Sequence, residues 1–97
     1  MSVRITCINK SAGYHDDPHG AIDRVGWVEE GTGKTGNSSR LEMYEWIKYQ
    51  NGVAYVLDSR GNRAYVGTRE NARGTKYLQT YADDVWTDNL LVLPECR

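Results

Sequence analysis

Apolar and polar residues alternate from the third position of the chain. In Val3-Arg4-Ile5-Thr6-Cys7-Ile8, the residues Val3, Ile5 and Cys7 fall on one side and Arg4, Thr6 and Ile8 on the other. A period of two predicts a strand with one buried face. The same alternation returns in "DRVGWVEE", where Val25 and Trp27 share a face of a second strand. The polar "NKSAGYHDD" between them reads as a loop. In "DDPHGAI", Asp17 can cap and Pro18 can take the first position of a short helical turn.

The period then changes. Ser39 and Glu42 have the spacing of a capping box, in which hydroxyl and carboxylate each satisfy an exposed backbone N–H. Met43, Trp46, Ile47 and Gln50 follow on one helical stripe. Asn51-Gly52 supplies a left-handed stop, so a helix is predicted at about 39–50. "VAYVL" and "RAYVG" flank Asp58-Ser59-Arg60-Gly61-Asn62, the pattern of a hairpin. After a loop at 68–74, "TKYLQTYA" is a further strand with Tyr77, Gln79 and Tyr81 on one face and Leu78 and Thr80 on the other. "TDNLLVLP" closes the chain, with Asp88 as a cap, leucines too apolar to be free and Pro94 as a stop. The order β-β-α-β-β-β predicts an α+β fold, a small mostly antiparallel sheet with one main helix on a face. The expected core contains Trp27, Met43, Ile47, Leu78, Leu90 and Leu91.

A length of 97 residues predicts one domain, residues 1–97, with a modest core. Charged residues make up 26% and no long apolar run occurs, which argues against disorder and against a membrane span. No apolar segment of signal-peptide type follows Met1, so a cytoplasmic setting is expected. The formal net charge of −1 exerts no global pull on nucleic acid or acidic lipid. Its distribution is less even. Arg60, Arg63, Arg69, Arg73 and Lys76 lie close together with Glu70 as the one acid among them, whereas Asp83, Asp84, Asp88 and Glu95 follow without a base.

Gly31-Thr32-Gly33-Lys34-Thr35-Gly36 has the look of a phosphate-binding loop, but two features oppose it. The position of the motif's first glycine is held by Val28. The helix is predicted to start near Ser39, well past Lys34, whereas a phosphate-binding loop needs the helix N-terminus at the lysine. The stretch reads better as a turn tolerating positive φ. Asp58, a conceivable Mg²⁺ carboxylate, opens a hairpin turn instead.

Cys7, His15, His19 and Cys96 would make a Cys₂His₂ zinc set, but their spacing lacks the close cysteine pair of such sites. Ordinary packing is the preferred reading, with Cys7 a small hydrophobe on its strand. A disulfide is disfavoured in a reducing compartment, and no cofactor is expected. Asp16, Asp17 and His19 offer an acid–base pair in a loop, which defines a possible small metal-dependent or acid–base enzyme built on the His15–His19 loop.

Seven tyrosines and three tryptophans without a phenylalanine is an unusual aromatic selection. Such rings suit half-wet surfaces. Tyr55, Tyr65, Tyr77 and Tyr81 fall on predicted strands beside the basic residues. Aromatic rings interleaved with arginines can stack the bases of single-stranded nucleic acid. The candidate anion or nucleic-acid contacts are therefore Arg60, Arg63, Arg69, Arg73, Lys76, Tyr65 and Tyr77.

Lys76-Tyr77-Leu78-Gln79-Thr80, followed by Asp88-Asn89-Leu90-Leu91-Val92-Leu93-Pro94, resembles the closing signature of the bacterial domain of unknown function 3892 family. "RITCINK", "HGAIDRVGW" and "LEMYEWIKYQNGVAYVLDSRGNRAYV" extend the likeness over nearly the whole chain. Asp83-Asp84 stands where the family's turn often has Asp-Gly. The resemblance implies one complete domain and a bacterial cytoplasmic setting, and it carries no activity with it. The sequence therefore reads as a non-catalytic binding module, with a protein or a single-stranded nucleic acid as partner and no membrane association. Weak nucleic-acid binding through segment 60–76 is the most concrete form of that reading.

Overall fold

Alternation and capping act where the sequence places them. The computed structural model describes residues 2–10, 22–58, 60–82, 85–87 and 89–96, leaving aside the side chain of Ala82. Its elements are β1 (Ser2–Lys10), β2 (Ile22–Glu29), β3 (Thr35–Ser39), α1 (Arg40–Gln50), β4 (Val53–Leu57), β5 (Arg63–Glu70), β6 (Lys76–Ala82) and β7 (Val85–Thr87). They form a small sheet-rich domain with one helix. None of the described helical residues forms a helix long and apolar enough to cross a membrane.

The seven strands make one sheet in the order β3-β2-β1-β4-β5-β6-β7. The sheet is mixed, which corrects the expected mostly antiparallel arrangement. β1 and β4 run parallel, with Ser2, Val3 and Arg4 opposite Val53, Ala54 and Tyr55. The cause is α1. A helix between β3 and β4 is a crossover, and a crossover returns the chain for entry in the same direction. α1 touches β2 and β3 on one side and β5 and β6 on the other, so the sheet curls round it as a half-barrel.

The capping box forms as predicted: Glu42 N–H donates to Ser39 Oγ and Ser39 N–H donates to Glu42 Oε1. Asn51 takes the left-handed conformation at the C-cap, with φ 56°. The buried stripe differs from the predicted one. Met43 and Tyr44 are buried, Trp46 and Ile47 are half-buried and Gln50 is exposed. Tyr44 is the central ring, 1% exposed, because the curled sheet reaches further round the helix than a flat one would.

The core lines the inner face: Val3, Ile5, Ile8, Ile22, Val25, Ala54, Val56, Val66, Leu78 and Leu90 are all buried. Trp27 and Leu91, expected in the core, pack half-buried against it. Two strands were not anticipated. β3 is Thr-Gly-Asn-Ser-Ser, with no apolar residue to signal it, and β7 is three residues long. β5 also continues to Glu70, where a loop was expected from residue 68, and it thereby carries Arg69 on a strand.

A β-bulge between Ile5 and Cys7 alters the reading of the first strand. The extra residue shifts the phase of alternation, so Ile8 takes the inner position and Cys7 turns outward beside Gly26. There Cys7 is not a free packed thiol, as expected, but is bonded to Cys96. The C-terminal segment lies along the end of β1: Ile8 N–H donates to Pro94 O and Cys96 N–H to Ile8 O. It occupies the flank that β4 leaves, since β4 pairs with β1 only at Ser2–Arg4.

Candidate nucleic-acid interface

The outer face of the sheet, away from α1, follows from the alternation already described. In β5, Ala64 and Val66 point inward and are buried, so Arg63, Tyr65, Gly67 and Arg69 point outward. The register then lines up residues from five strands. Arg4 lies opposite Tyr55, Tyr55 opposite Tyr65, Tyr65 opposite Tyr81, and Tyr81 opposite Trp86. Neighbouring strands lie about 4.8 Å apart, so one arginine and four aromatic residues form a continuous row across the sheet.

The rings are held by one another and by the backbone. Tyr55 and Tyr65 are tilted with centroids 6.4 Å apart, and Tyr81 and Trp86 meet edge-on at 5.6 Å. Gly67 has a specific part in this. A Cβ there would come within 3.0 Å of the Trp86 ring and 3.2 Å of Tyr81. The missing side chain lets the indole lie down over β5. Tyr65, Tyr81 and Trp86 are each about 40% exposed, enough to offer ring surface while remaining anchored.

Two guanidinium groups bracket the row. Arg63 lies 4.2 Å from the Tyr55 ring centroid and pairs with Glu30. Arg69 lies 4.5 Å from the Trp86 ring and 5.9 Å from that of Tyr77, and it donates to Gln79 Oε1. Contacts of this kind fix the cation over the ring face and leave its outer edge for an anion. The hydrogen bond to Glu30 raises the pKa of Arg63, whose charge is permanent in any case. Burial, helped by hydrogen bonding to Glu30, pushes the Tyr55 phenol up. The Nε of Arg4 is buried without an acceptor among the described residues.

The candidate residues divide by position. Arg63, Arg69, Tyr65 and Tyr77 share this face, with Tyr77 mostly covered at 9% exposure. Arg60 sits exposed in the β4–β5 turn and Arg73 in the β5–β6 turn, at opposite ends of β5. Lys76 turns to the inner side, 5.7 Å from the Tyr44 ring. Arg4, Gly67 and Trp86 were missed. The alternation of β1 placed Arg4 outward, but the parallel neighbour that brings it to Tyr55 is a long-range event. Trp86 lies on a strand too short to announce itself.

The other chemistry is dispersed. Lys34 is exposed after the β2–β3 turn, where Gly31 and Gly33 adopt φ of 92° and 74°, and the whole of β3 separates it from α1. Asp58 Oδ1 accepts from the N–H groups of Arg60 and Asn62. The Asn62 amide and, less, that of Arg60 hold its carboxyl below the ordinary value. It therefore closes a turn. Cys7 and Cys96, bonded together, are not thiolate ligands in this state, and His15, His19, Asp16 and Asp17 lie outside the described residues.

A family model described as "Protein of unknown function (DUF3892)" matches residues 4–94. No curated protein and no solved structure matches the chain.

Proposed function

We propose that this chain, which belongs to the DUF3892 family of proteins of unknown function, is a non-catalytic binding module whose ligand is single-stranded nucleic acid. The observation that carries the reading is the registered row Arg4–Tyr55–Tyr65–Tyr81–Trp86 with Arg63 and Arg69 seated over its rings. Every base has a π-face, so the half-exposed rings of Tyr65, Tyr81 and Trp86 accept bases without choosing among them, while the buried Tyr55 supports the row beneath Arg63. Guanidinium groups already fixed over rings lose little freedom when they meet a phosphate. Arg60 and Arg73, in the turns at the two ends of β5, extend the cationic track along the strand.

Binding on this face is weak and strongly salt-dependent. The chain carries a formal charge of −1, so attraction is local to the face. Neutralising three or four phosphates gives a slope of about −2 to −3 in log K against log salt. Glu30 opposes binding by occupying Arg63.

Fluorescence anisotropy of a labelled single-stranded oligonucleotide at low and moderate salt is the test. Trp86→Ala is expected to weaken binding by about 1–3 kcal/mol, the range for loss of one stacking ring. Arg63→Glu/Arg69→Glu abolishes it, and Glu30→Gln strengthens it by freeing Arg63. No anisotropy change at high protein concentration and low salt would remove nucleic acid as the ligand and leave the face to a protein partner.

A further inference from the structure

A second site lies on the opposite side of the sheet. A cavity of about 250 Å³ opens between α1 and the inner face of β1–β3, lined by Val3, Trp27, Glu29, Ser38, Glu42, Met43 and Trp46. Its apolar walls are two indoles and a thioether, and both of its ionisable lining residues are carboxylic acids. Among the described residues, no lysine or arginine lines it.

Both indoles are fixed. The Trp27 ring packs on Gly36 of the neighbouring strand, and its Nε1–H donates to Ser38 Oγ. The Trp46 ring packs on Gly52 just beyond the C-terminus of α1. A Cβ at either glycine would collide with the ring, so these two positions determine where the indoles stand. The carboxylates are fixed with equal economy. Glu29 Oε1 accepts from the Thr32 hydroxyl and Glu42 Oε1 accepts from Ser39 N–H. Each uses one oxygen for the fold and retains a second. The Ser39 contacts, with a smaller contribution from the charge of Arg24, lower the pKa of Glu42.

Aromatic faces with a pair of anions suit a cation that carries apolar substituents. Ring quadrupoles attract the charge, alkyl groups fill the walls, and a poorly hydrated onium ion loses little by leaving water. A hydrated metal ion would not use the indoles, and a neutral apolar molecule would not use the carboxylates. We infer that the cavity between α1 and β1–β3 binds a small free quaternary ammonium compound, with Trp27 and Trp46 as the cage walls and Glu29 and Glu42 as counter-ions. The size favours a free small molecule, since a cavity of about 250 Å³, below the usual ligand-site volumes of about 300–1,000 Å³, encloses a head group and little more.

Isothermal titration with tetramethylammonium and choline, and with 3,3-dimethylbutanol as the neutral isostere of choline, tests this directly. Millimolar or tighter binding of the cations is expected, with the isostere at least about tenfold weaker. Glu29→Gln/Glu42→Gln preserves an acceptor for Thr32 and for Ser39, since glutamine also serves in a capping box. It should cut cation affinity about tenfold and leave the isostere unchanged. Trp46→Ala should abolish cation binding, and thermal melts of each variant report whether the fold persists. Equal binding of cation and isostere, or no binding of tetramethylammonium to the wild-type protein at tens of millimolar, overturns the inference. Tighter binding of a trimethyl-lysine peptide than of any free amine overturns the small-molecule assignment and gives the cage to a modified protein. Oligonucleotide binding on the outer face uses none of these residues, so the two results are independent.

Discussion

Reducing the Cys7–Cys96 bond should remove a large part of the stability of the fold. The two cysteines are 89 residues apart in sequence, so the bond closes nearly the entire chain into one loop. Constraining the unfolded chain in a loop of that length is worth about 4.6 kcal/mol in the chain-entropy account. A domain of 97 residues has about 5–15 kcal/mol in total. With an unfolding entropy of about 0.2 kcal/mol/K for this length, the Tm should fall by roughly 20 °C. The native contacts of the tail survive reduction, because Leu90 is fully buried and the Pro94, Cys96 and Asn9 hydrogen bonds are independent of sulfur. The reduced protein should therefore still melt cooperatively, only earlier. Circular dichroism melts with and without a phosphine reductant, with the thiol state of each sample fixed by alkylation and mass, measure the shift. Equal Tm values for the verified oxidised and reduced forms would refute the argument. They would mean that the unfolded chain already holds its ends together, or that strain in the folded state offsets the constraint.

Leu90→Ala should cost about 2–5 kcal/mol in chemical denaturation, since Leu90 is fully buried from a segment without regular structure and its loss leaves a cavity under the open end of the sheet. Gly67→Val should lift the Trp86 ring off β5, shifting tryptophan emission to longer wavelength and weakening oligonucleotide binding with little change in Tm. Acid should destabilise the fold through Asp58 and Glu42, whose folded pKa values lie below the ordinary ones because backbone amides of Asn62 and Ser39 donate to them. A depressed folded pKa contributes stability above the unfolded value and loses it as pH falls through the folded one. Asp58→Asn/Glu42→Gln should flatten the acid limb of a stability-against-pH curve, and an unchanged limb would assign it to other groups.

What the sequence determined by itself was local. The capping box at Ser39 and Glu42, the left-handed Asn51, the hairpin at Asp58–Asn62 and the two faces of β6 all depend on neighbours a few residues away. Local propensity and alternation are enough to specify them. The shared face of Tyr77, Gln79 and Tyr81 was legible for the same reason, whereas Arg63 and Tyr65 were legible as candidates without a face assigned to them. The tertiary structure decided the rest through contacts between distant residues. β3 becomes a strand only because β2 offers a hydrogen-bonding edge to a stretch with no apolar signal. The crossover through α1 makes β1 and β4 parallel and so carries Arg4 to Tyr55. One bulge at Ile5–Cys7 reverses which side Cys7 faces, and that allows it to meet Cys96. Trp86 joins the aromatic row because Gly67 on β5 leaves room for its ring, a complementarity invisible until the strands are in register. Pairing and packing energies are set by which segments meet, and a one-dimensional pattern does not contain that information.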